Sequence, residues 1–534
     1  MPRAEGSGEG VRVSELVALM SLGADLGLGQ PMEHALRQSL IGLRIADRLG
    51  LAAAQRATLY YVSLIAWIGC HIDAYEQAKW FGDDIRLKED MRQVDYVGAN
   101  VLRFAAAHVG SAHTGLERAR VAVALAVGGR READPATMIA NHFWAAGDLA
   151  DRLGLGENVR RPVGQTFERW DGRGLPSGIR GDEIDLTARI VNLADVVEIY
   201  HRAGGVDAAA EVARARRGTQ FDPALVDLLC ADGAALFDGL DGTTRWDAVI
   251  DAEPELGRKL RGPELDGAFA AVADFADVKS PYTLGHSRGV AELAADAAER
   301  LGCSPDEVTH VRRAALVHDL GRLGVSNAVW DKPSRLTAAE EERVRLHPYL
   351  TQRMLAGSAT LRGYGETAQQ HHERLDGSGY PHGRRGDGLT RPGRLLAAAD
   401  AYHAKLEPRP HRPALAAPEA ADWLRGEVRA GRLDALAVDA VLESAGHPVR
   451  RRRDWPAGLT TREVEVLRLL ARGLPTRQIA ERLVISHKTA TNHVEHIYTK
   501  IGVSNRARAG LFAIQHGLMS VADDGGSEDG VFAS

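Results

Sequence analysis

Between residues 286 and 400, imidazole and carboxylate side chains recur at intervals that suit metal binding. The set consists of His286, His318, Asp319, His347, His371, His372 and Asp400. Such nitrogen and oxygen donors suit divalent ions of intermediate softness, so iron, manganese, zinc and nickel all remain open. Two such ions lower the pKa of a bound water and clamp phosphoryl oxygens, so that phosphoester hydrolysis needs no serine or cysteine nucleophile. The set therefore predicts metal-dependent phosphoester hydrolysis.

The adjacent pair His318 and Asp319 follows a helical pattern. Apolar residues recur at three and four positions up to this pair, as at Val308, Val311 and Ala315, and Gly321 follows. A charged pair buried at the end of an apolar helix is costly without a partner. Metal coordination supplies that partner.

The chain contains an internal repeat. HALRQSLIGLRIADRLG, from His34 to Gly50, has the layout of HSRGVAELAADAAERLG, from His286 to Gly302, at an offset of 252. FERWDGRGLP at 167–176 matches HERLDGSGYP at 372–381 at an offset of 205. Because the second offset is smaller than the first, the first copy must contain additional sequence between residues 79 and 161. We infer two related helical domains followed by a further module.

The first copy lacks most of the candidate ligands. Ala66 and Trp67 stand in place of the HD pair, His318 and Asp319. Thr166 and Phe167 stand in place of the HH pair, His371 and His372. His34 and Asp195 remain, as does a loop at 174–176, but two ligands make a poor metal site. We therefore predict that residues 11–245 form a degenerate, non-catalytic domain that packs on the second copy or senses a ligand.

The motifs of the second copy resemble those of the HD-GYP family, in order, over residues 275–447. They read HSRGV, ALVHDLGRLGV, DKPSRLT, RLHPYL, HHERLDGSGYP and LLAAADAY. The resemblance implies an all-helical domain, here residues 264–447, in which the HD helix, other histidines and a late aspartate hold two or three metals. It also implies a cyclic dinucleotide substrate, chiefly cyclic di-GMP.

The resemblance also assigns roles to single residues. It implies that all seven residues of the set bind metal and that Asp319 bridges the ions. It implies that catalysis involves Asp319 and Arg322. Substrate is expected to meet Arg322, Lys332, Gly379, Tyr380, Pro381, Arg409 and Arg412. A guanidinium fork fits the geometry of phosphate well.

Several positions depart from the family pattern. Arg322 stands where a lysine is usual, His403 replaces an aspartate and His411 a tyrosine. Tyr282 stands where some members have an additional glutamate ligand, which favours two metal ions over three. Arg322 favours slow turnover, because arginine holds phosphate but does not give up a proton. A regulator that binds nucleotide without turnover, and a phosphohydrolase for another nucleotide, are the alternatives.

Residues 455–520 resemble the LuxR-type helix-turn-helix. Residues 450–520 hold 13 Lys or Arg against 5 Asp or Glu. Helix starts are marked by Thr460 with Glu463, by Thr476 and by Ser486, which predicts four short helices. The candidate DNA contacts are Lys488, Thr491, Asn492, His493 and Lys500. The resemblance implies that the module binds duplex DNA, usually as a dimer that reads two half-sites.

The sequence as a whole predicts an all-α protein: two tandem helical HD-type domains and a C-terminal four-helix module. Its longest apolar stretch is short of the roughly 20 residues that a bilayer crossing needs, so we expect no membrane span. The first residues lack the pattern of a signal peptide, and the three cysteines form no framework. We therefore expect a cytoplasmic location. The acidic tail, residues 521–534, is predicted to be disordered.

Overall fold

The chain folds into two compact units, Met1–Pro448 and Val449–Ser534, in a computed structural model. The structure describes residues 10–95, 98–129, 134–240, 245–254, 257–448 and 455–519. The all-α prediction is confirmed, since the only strands of the described residues are β1 (Val11–Arg12) and β2 (Lys259–Leu260), which pair antiparallel. The predicted disordered tail lies outside the described residues.

The first copy begins with β1 and contains twelve helices among the described residues. They are α1 (Val13–Gly27), α2 (His34–Arg48), α3 (Ala53–Ile65), α4 (Ala74–Phe81), α5 (Asp84–Gln93), α6 (Ala99–His108), α7 (Gly115–Ala124), α8 (Pro135–Arg152), α9 (Glu157–Val163), α10 (Leu186–Ala215), α11 (Pro223–Phe237) and α12 (Arg245–Asp251). Short 3₁₀ helices cover Ile68–His71 and Gly181–Glu183, and one π-helical turn covers Leu125–Gly129.

The second copy follows β2. Its helices are α13 (Gly262–Asp277), α14 (His286–Arg300), α15 (Pro305–Val317), α16 (Asn327–Trp330), α17 (Ala338–Arg345), α18 (His347–Leu355), α19 (Arg362–Ala368), α20 (Arg391–Leu406), α21 (Ala417–Arg429) and α22 (Ala435–Ser444). Two 3₁₀ helices cover Leu320–Gly324 and Gly386–Gly388.

The repeat is visible in matching helix starts. α2 and α14 begin at His34 and His286, the two histidines that the 252-residue offset aligns. In each copy a buried aspartate nine residues earlier accepts a backbone N–H of the first turn: Asp25 from Ala35 at 3.1 Å, and Asp277 from Ser287 at 2.8 Å. Such bonds satisfy donors that a helix start leaves open.

The two copies share an apolar interface. α1 of the first copy is buried over almost its whole length, with Leu16, Leu19 and Met20 fully buried. A Cβ on Gly23 would lie 2.7 Å from Leu323 Cδ1, so the glycine permits α1 to approach the second copy closely. Each such aliphatic side chain contributes about 1.5–3 kcal/mol when it is fully buried.

The second unit is a small helical module. It contains a 3₁₀ helix at Pro456–Gly458 and four helices: α23 (Thr461–Ala471), α24 (Thr476–Arg482), α25 (His487–Ile501) and α26 (Arg506–Gln515). The predicted capping box of Thr460 with Glu463 and the cap at Ser486 are present. Ala490 and Ile497 are buried, and Val494 and Ile501 are partly buried, so these residues, spaced at three and four positions, form an apolar stripe on α25.

Over the part of the chain that the structure describes, no helix is both long and apolar enough to span a bilayer.

Candidate metal centre and DNA-binding module

The HD pair lies where α15 gives way to a 3₁₀ turn. α15 starts with a capping box between Ser304 and Glu307 and ends at Val317, and His318 and Asp319 follow before the 3₁₀ helix. Gly321 lies directly against the carbonyl of His347, where a Cβ would overlap it. This close approach brings the start of α18 beside the HD pair.

The seven predicted ligands converge around Asp319. Its Oδ1 is 3.4 Å from His347 Nε2 and 3.6 Å from His371 Nε2. Its Oδ2 is 3.7 Å from His286 Nε2 and 3.6 Å from His318 Nε2. Asp319 therefore stands between two groups of imidazoles, as a bridging carboxylate does.

Asp400 joins the same centre from α20. Its Oδ1 lies 3.3 Å from His286 Nε2 and 4.0 Å from His318 Nε2, and its Oδ2 lies 4.0 Å from His372 Nδ1. Among the described residues, four sets of three donors are each compact enough for one ion. Two of them are His286, His318 and Asp400, and His347, His371 and His372. The other two are His318, Asp319 and His371, and His286 with His403 and Glu407.

Backbone carbonyls fix the orientation of three imidazoles. In His318, His347 and His371 the Nδ1–H donates a hydrogen bond of 2.6 Å to the carbonyl of the residue three positions earlier. Their Nε2 lone pairs therefore face the centre. Nε2 of His318 is buried without a hydrogen-bond partner in the described structure, and those of His347 and His371 lie 3.1 Å apart. Facing lone pairs need a cation between them, so the residues fit a metal centre.

The ionisation states of His371 and Asp319 suit metal binding, whereas burial opposes the charge of His286 but its hydrogen bonds to Asp400 and Glu407 outweigh burial and raise its pKa to about 10. Burial, together with the neighbouring His318 and His347, lowers the pKa of His371 to about 3. Burial opposes ionisation of Asp319, but His318, Arg322 and His347 outweigh it and hold the pKa of this carboxyl well below its usual range. A neutral imidazole at His371 and an ionised carboxylate at Asp319 are the forms in which these two groups coordinate metals.

A carboxylate that the sequence motifs did not single out supports the first histidine. Glu407 lies 3.0 Å from His286 Nδ1, and it follows the predicted ligand Asp400 by seven residues. Such a partner orients an imidazole and raises its basicity. A glutamate at this spacing carries no recognisable signal by itself, because only the fold brings it to His286.

Arg322 lies beside the centre. Its guanidinium stacks at 3.8 Å on the ring of Trp330, and its Nη1 is 3.4 Å from Asp319 Oδ2. The ring of Tyr380 lies 4.7 Å from that of His372, and burial raises the pKa of its hydroxyl, so the hydroxyl stays protonated. Gly379 packs against the backbone of Glu373 with no room for a Cβ, and Pro381 follows Tyr380 in the same loop.

Three other predicted substrate residues have protein partners. Lys332 pairs with Glu340 at 2.7 Å. Arg409 pairs with Glu407 at 2.6 Å and donates to the carbonyl of Tyr282 at 2.8 Å. Arg412 donates to backbone carbonyls of its own loop, among them that of Glu407 at 3.1 Å. Arg412 thus shapes the loop that holds Glu407.

The first copy fills the same place with aromatic rings and an arginine. Trp67 and Phe167 meet edge to face at 5.4 Å. The Arg92 guanidinium lies 4.8 Å from the Trp67 ring and 3.4 Å from Asp195, which His34 also contacts at 2.9 Å. None of the metal-like donor groups found among the described residues lies in this copy.

One further histidine of the first copy escaped the motif comparison. His142 stands at the 205-residue offset from His347, and the carbonyl of each lies against the matching glycine, Gly69 or Gly321. His142 hydrogen-bonds the carbonyl of Ala66 at 2.7 Å. Extending the offset to this position would have found it in the sequence.

The predicted DNA contacts lie on α25. Lys488 and Asn492 are exposed, whereas Thr491 and His493 are partly buried. Lys500 forms an ion pair with Glu463 at 2.7 Å and donates to the carbonyl of Gly458 at 3.1 Å. All five side chains lie on α25, and four of them form no ion pair in the described structure.

Comparison with known proteins agrees with this architecture. The family profile described as "HD domain" matches residues 128–225 and 270–436, and that of "Bacterial regulatory proteins, luxR family" matches residues 457–513. The chain is 31% identical over 407 residues to 3'3'-cGAMP-specific phosphodiesterase 3 of Vibrio cholerae serotype O1, covering 76% of this chain and 88% of the relative.

Two further comparisons extend the result. A crystal structure of a cyclic GMP-AMP-specific phosphodiesterase from V. cholerae matches with a TM-score of 0.57 and 27% identity, over 82% of this chain and 99% of the other. A cyclic di-GMP phosphodiesterase response regulator of Xanthomonas campestris is 36% identical over 156 residues, which is 29% of this chain and 41% of the relative.

The helical fold and the HD pair define a metal-dependent phosphohydrolase of the HD class. The chain belongs to the HD-GYP family of phosphodiesterases, and a luxR-family DNA-binding domain follows its HD copies.

Proposed function

We propose that residues 264–447 hydrolyse a cyclic dinucleotide, and that occupancy or turnover of this site biases DNA binding by residues 455–520. The convergence of seven donor side chains, with Nε2 of His318 buried and unpartnered, carries the proposal. The printed names of the relatives add cyclic di-GMP and 3'3'-cGAMP as candidate substrates. Residues 11–245 serve as the non-catalytic partner domain.

We propose two divalent metal ions, of iron, manganese, zinc or nickel. His286, His318 and Asp400 would hold one ion, His347, His371 and His372 the other, and Asp319 would bridge them. The ions would supply a water of lowered pKa and neutralise phosphoryl charge. Tyr282 stands where the HD-GYP pattern allows an additional glutamate ligand, and the lack of that carboxylate supports two ions.

The remaining residues bind and orient the nucleotide. Arg322 offers a fixed positive charge beside Asp319, held flat by Trp330, and would bind a phosphate oxygen. Tyr380, in the loop Gly379 to Pro381, would border a base with its ring. Lys332, Arg409 and Arg412 complete the proposed set. Arg409 pairs with Glu407, and Arg412 donates to the Glu407 carbonyl, so both arginines are held in one loop. From this loop they would border the nucleotide.

The enzyme proposal is tested with purified full-length protein loaded with manganese. We expect hydrolysis of cyclic di-GMP or 3'3'-cGAMP, measured by chromatography of the products, and loss of the activity in Asp319→Ala. Absence of hydrolysis with tight nucleotide binding would instead support the second candidate function, a regulator that binds nucleotide without turnover. Arg322, which stands where the family pattern has a lysine, is the observation that favours this candidate.

The DNA-binding part of the proposal rests on the exposed face of α25. Lys488, Thr491, Asn492 and His493 would contact bases or phosphates, and Lys500 would contact phosphate at the end of the helix. Such modules read two half-sites, so we propose a homodimer, and DNA as the target supports a cytoplasmic location. We expect affinity for duplex DNA to fall steeply with salt, and Lys488→Ala to reduce the salt slope by about 1.

A further inference from the structure

Helix α5 belongs to the first copy, but its first residue makes buried contacts with the second. Asp84 is completely buried. Its Oδ1 accepts from Ser326 Oγ at 2.7 Å and from the backbone N–H of Asn327 at 2.8 Å. Its Oδ2 lies 3.1 Å from Lys88 Nζ and 3.2 Å from Lys279 Nζ. One carboxylate thus joins three segments.

The charges of this network depend on one another. Burial opposes ionisation of Asp84, but Lys279 and Lys88 outweigh it and hold its pKa well below the usual range. Both lysines are themselves buried, and burial lowers the pKa of Lys279. Removing the carboxylate charge would leave two buried cations without compensation, which is strongly destabilising to the local arrangement.

The segment that Asp84 holds leads directly to the metal centre. Ser326 caps α16, a helix of only four residues that ends at Trp330. The indole N–H of Trp330 donates to the carbonyl of Arg322 at 3.2 Å, and its ring carries the Arg322 guanidinium. The same ring lies 5.4 Å from that of His347. A shift of α16 would therefore move the arginine beside Asp319.

α5 lies in the connection that leads from Trp67 to His142 in the first copy. His142 follows Trp67 by 75 residues, whereas His347 follows Asp319 by 28, so the connection is longer in the first copy. At the 252-residue offset α5 falls on residues 336–345, so α17 is the helix of the second copy that corresponds to it. In the first copy this helix carries Asp84, which contacts the start of α16 in the second copy.

We propose that Asp84 is a positioning residue for hydrolysis in the second copy. It fixes the start of α16 and, through Trp330, the orientation of Arg322. This inference rests on the proposed function, and it gives the degenerate copy a part in building the active site beyond packing against it.

The test compares two isosteric variants of the full-length protein. Asp84→Asn removes the charge that joins the copies at α16. Glu15→Gln is the matched control, because Glu15 of α1 also reaches the second copy, accepting from Ser358 Oγ at 2.7 Å. For each variant we measure the metal content and the hydrogen exchange at residues 326–331. We also measure kcat and KM for the cyclic dinucleotide that the wild type hydrolyses.

We expect Asp84→Asn to raise KM about tenfold and to speed exchange at 326–331, with metal content unchanged, because residues that share one hydrogen-bond network are energetically coupled. Glu15→Gln should change neither quantity. A merely structural role would reduce the active fraction, and so kcat, without moving KM or the local exchange. That result would overturn the inference.

A double variant tests the route through Trp330. In the Trp330→Ala background, Asp84→Asn should raise KM no further, whereas additive effects would exclude this route. If Asp84→Asn does not fold, Ser326→Ala removes one of the same hydrogen bonds and should act in the same direction. A wild type without hydrolysis would contradict the proposed function alone, whereas unchanged exchange at 326–331 in the variant would contradict the positioning role.

Discussion

The two HD copies arrange matching helices around a matching centre but neutralise its buried charge differently. In the second copy Asp319 and Asp400 face five imidazoles, of which at least two have lone pairs directed at one another. In the first copy aromatic rings replace the HD aspartate and a candidate ligand, His372, and Arg92 contacts the remaining carboxylate, Asp195. The helical scaffold therefore tolerates loss of the metal donors when a protein cation and apolar surface replace them.

The replacement also changes what the centre can do. A guanidinium stays charged at all physiological pH values and is covalently part of the chain, so it neither exchanges nor activates water. The first copy keeps His34 paired with Asp195 and Glu198, both of them buried. This copy pairs its buried carboxylates with side chains of the chain itself, whereas the second copy leaves lone pairs open for ligands.

Metal content gives the sharpest separation of the two copies. We expect Asp319→Ala to lose essentially all bound metal, because it removes the carboxylate that bridges the two donor sets. Asp195→Ala, the corresponding change of a buried carboxylate in the first copy, should leave the metal content as in the wild type. Elemental analysis of the purified proteins measures both, and metal loss in Asp195→Ala would refute the degenerate assignment.

The support of His286 provides a smaller change in the second copy alone. Glu407→Gln should weaken metal affinity by about 10- to 100-fold, the usual cost of losing such a partner. A competition titration with a chelating dye measures the affinity. Glu198→Gln in the first copy is the control, because Glu198 contacts His34 there and should leave the affinity unchanged. Equal losses in the two variants would contradict the assignment.

Arg322 tests whether the second copy is built for binding or for turnover. Arg322→Lys should raise kcat several-fold, about 1 kcal/mol in barrier, because a lysine near cations can give up a proton. Affinity should be similar or weaker, since lysine loses the flat stacking on Trp330. Steady-state hydrolysis and equilibrium binding of cyclic di-GMP measure the two effects. Fast turnover in the wild type, or a slower lysine variant, would disprove this explanation.

The stability of the first copy should depend on pH through His34. Burial opposes its charge, but Glu198 and Asp195 outweigh burial and raise the pKa of His34 to about 9. Because this lies above the ordinary value of about 6.5, the stabilisation is complete below pH 6.5 and is lost as pH rises through 9. It amounts to about 3 kcal/mol.

Urea unfolding between pH 6.5 and 9 measures this loss, and His34→Gln should flatten the dependence. His142→Gln is the control, because burial lowers the pKa of His142 to about 4 and leaves it neutral throughout this range. An unchanged slope in His34→Gln would show that another group titrates.

The sequence alone determined the features that depend on local pattern and spacing. Helix caps such as Thr460 with Glu463, the apolar stripe of α25 and the two repeat offsets are read directly from residue order. The seven candidate ligands were also chosen from the sequence by side-chain type and spacing, and that they bind metal stays a prediction. The loss of the HD pair at Ala66 and Trp67 is visible without a structure.

Only the tertiary structure decided which charges meet. Arg92, Glu407 and Asp84 are ordinary surface-like residues in the sequence, and their partners lie 103, 121 and 243 residues away in the chain. Arg409 and Arg412, expected at the phosphates, bind a carboxylate and backbone carbonyls instead of pointing freely into the site. A buried charge must find its counter-charge wherever the packed helices bring one, and that choice depends on the whole fold.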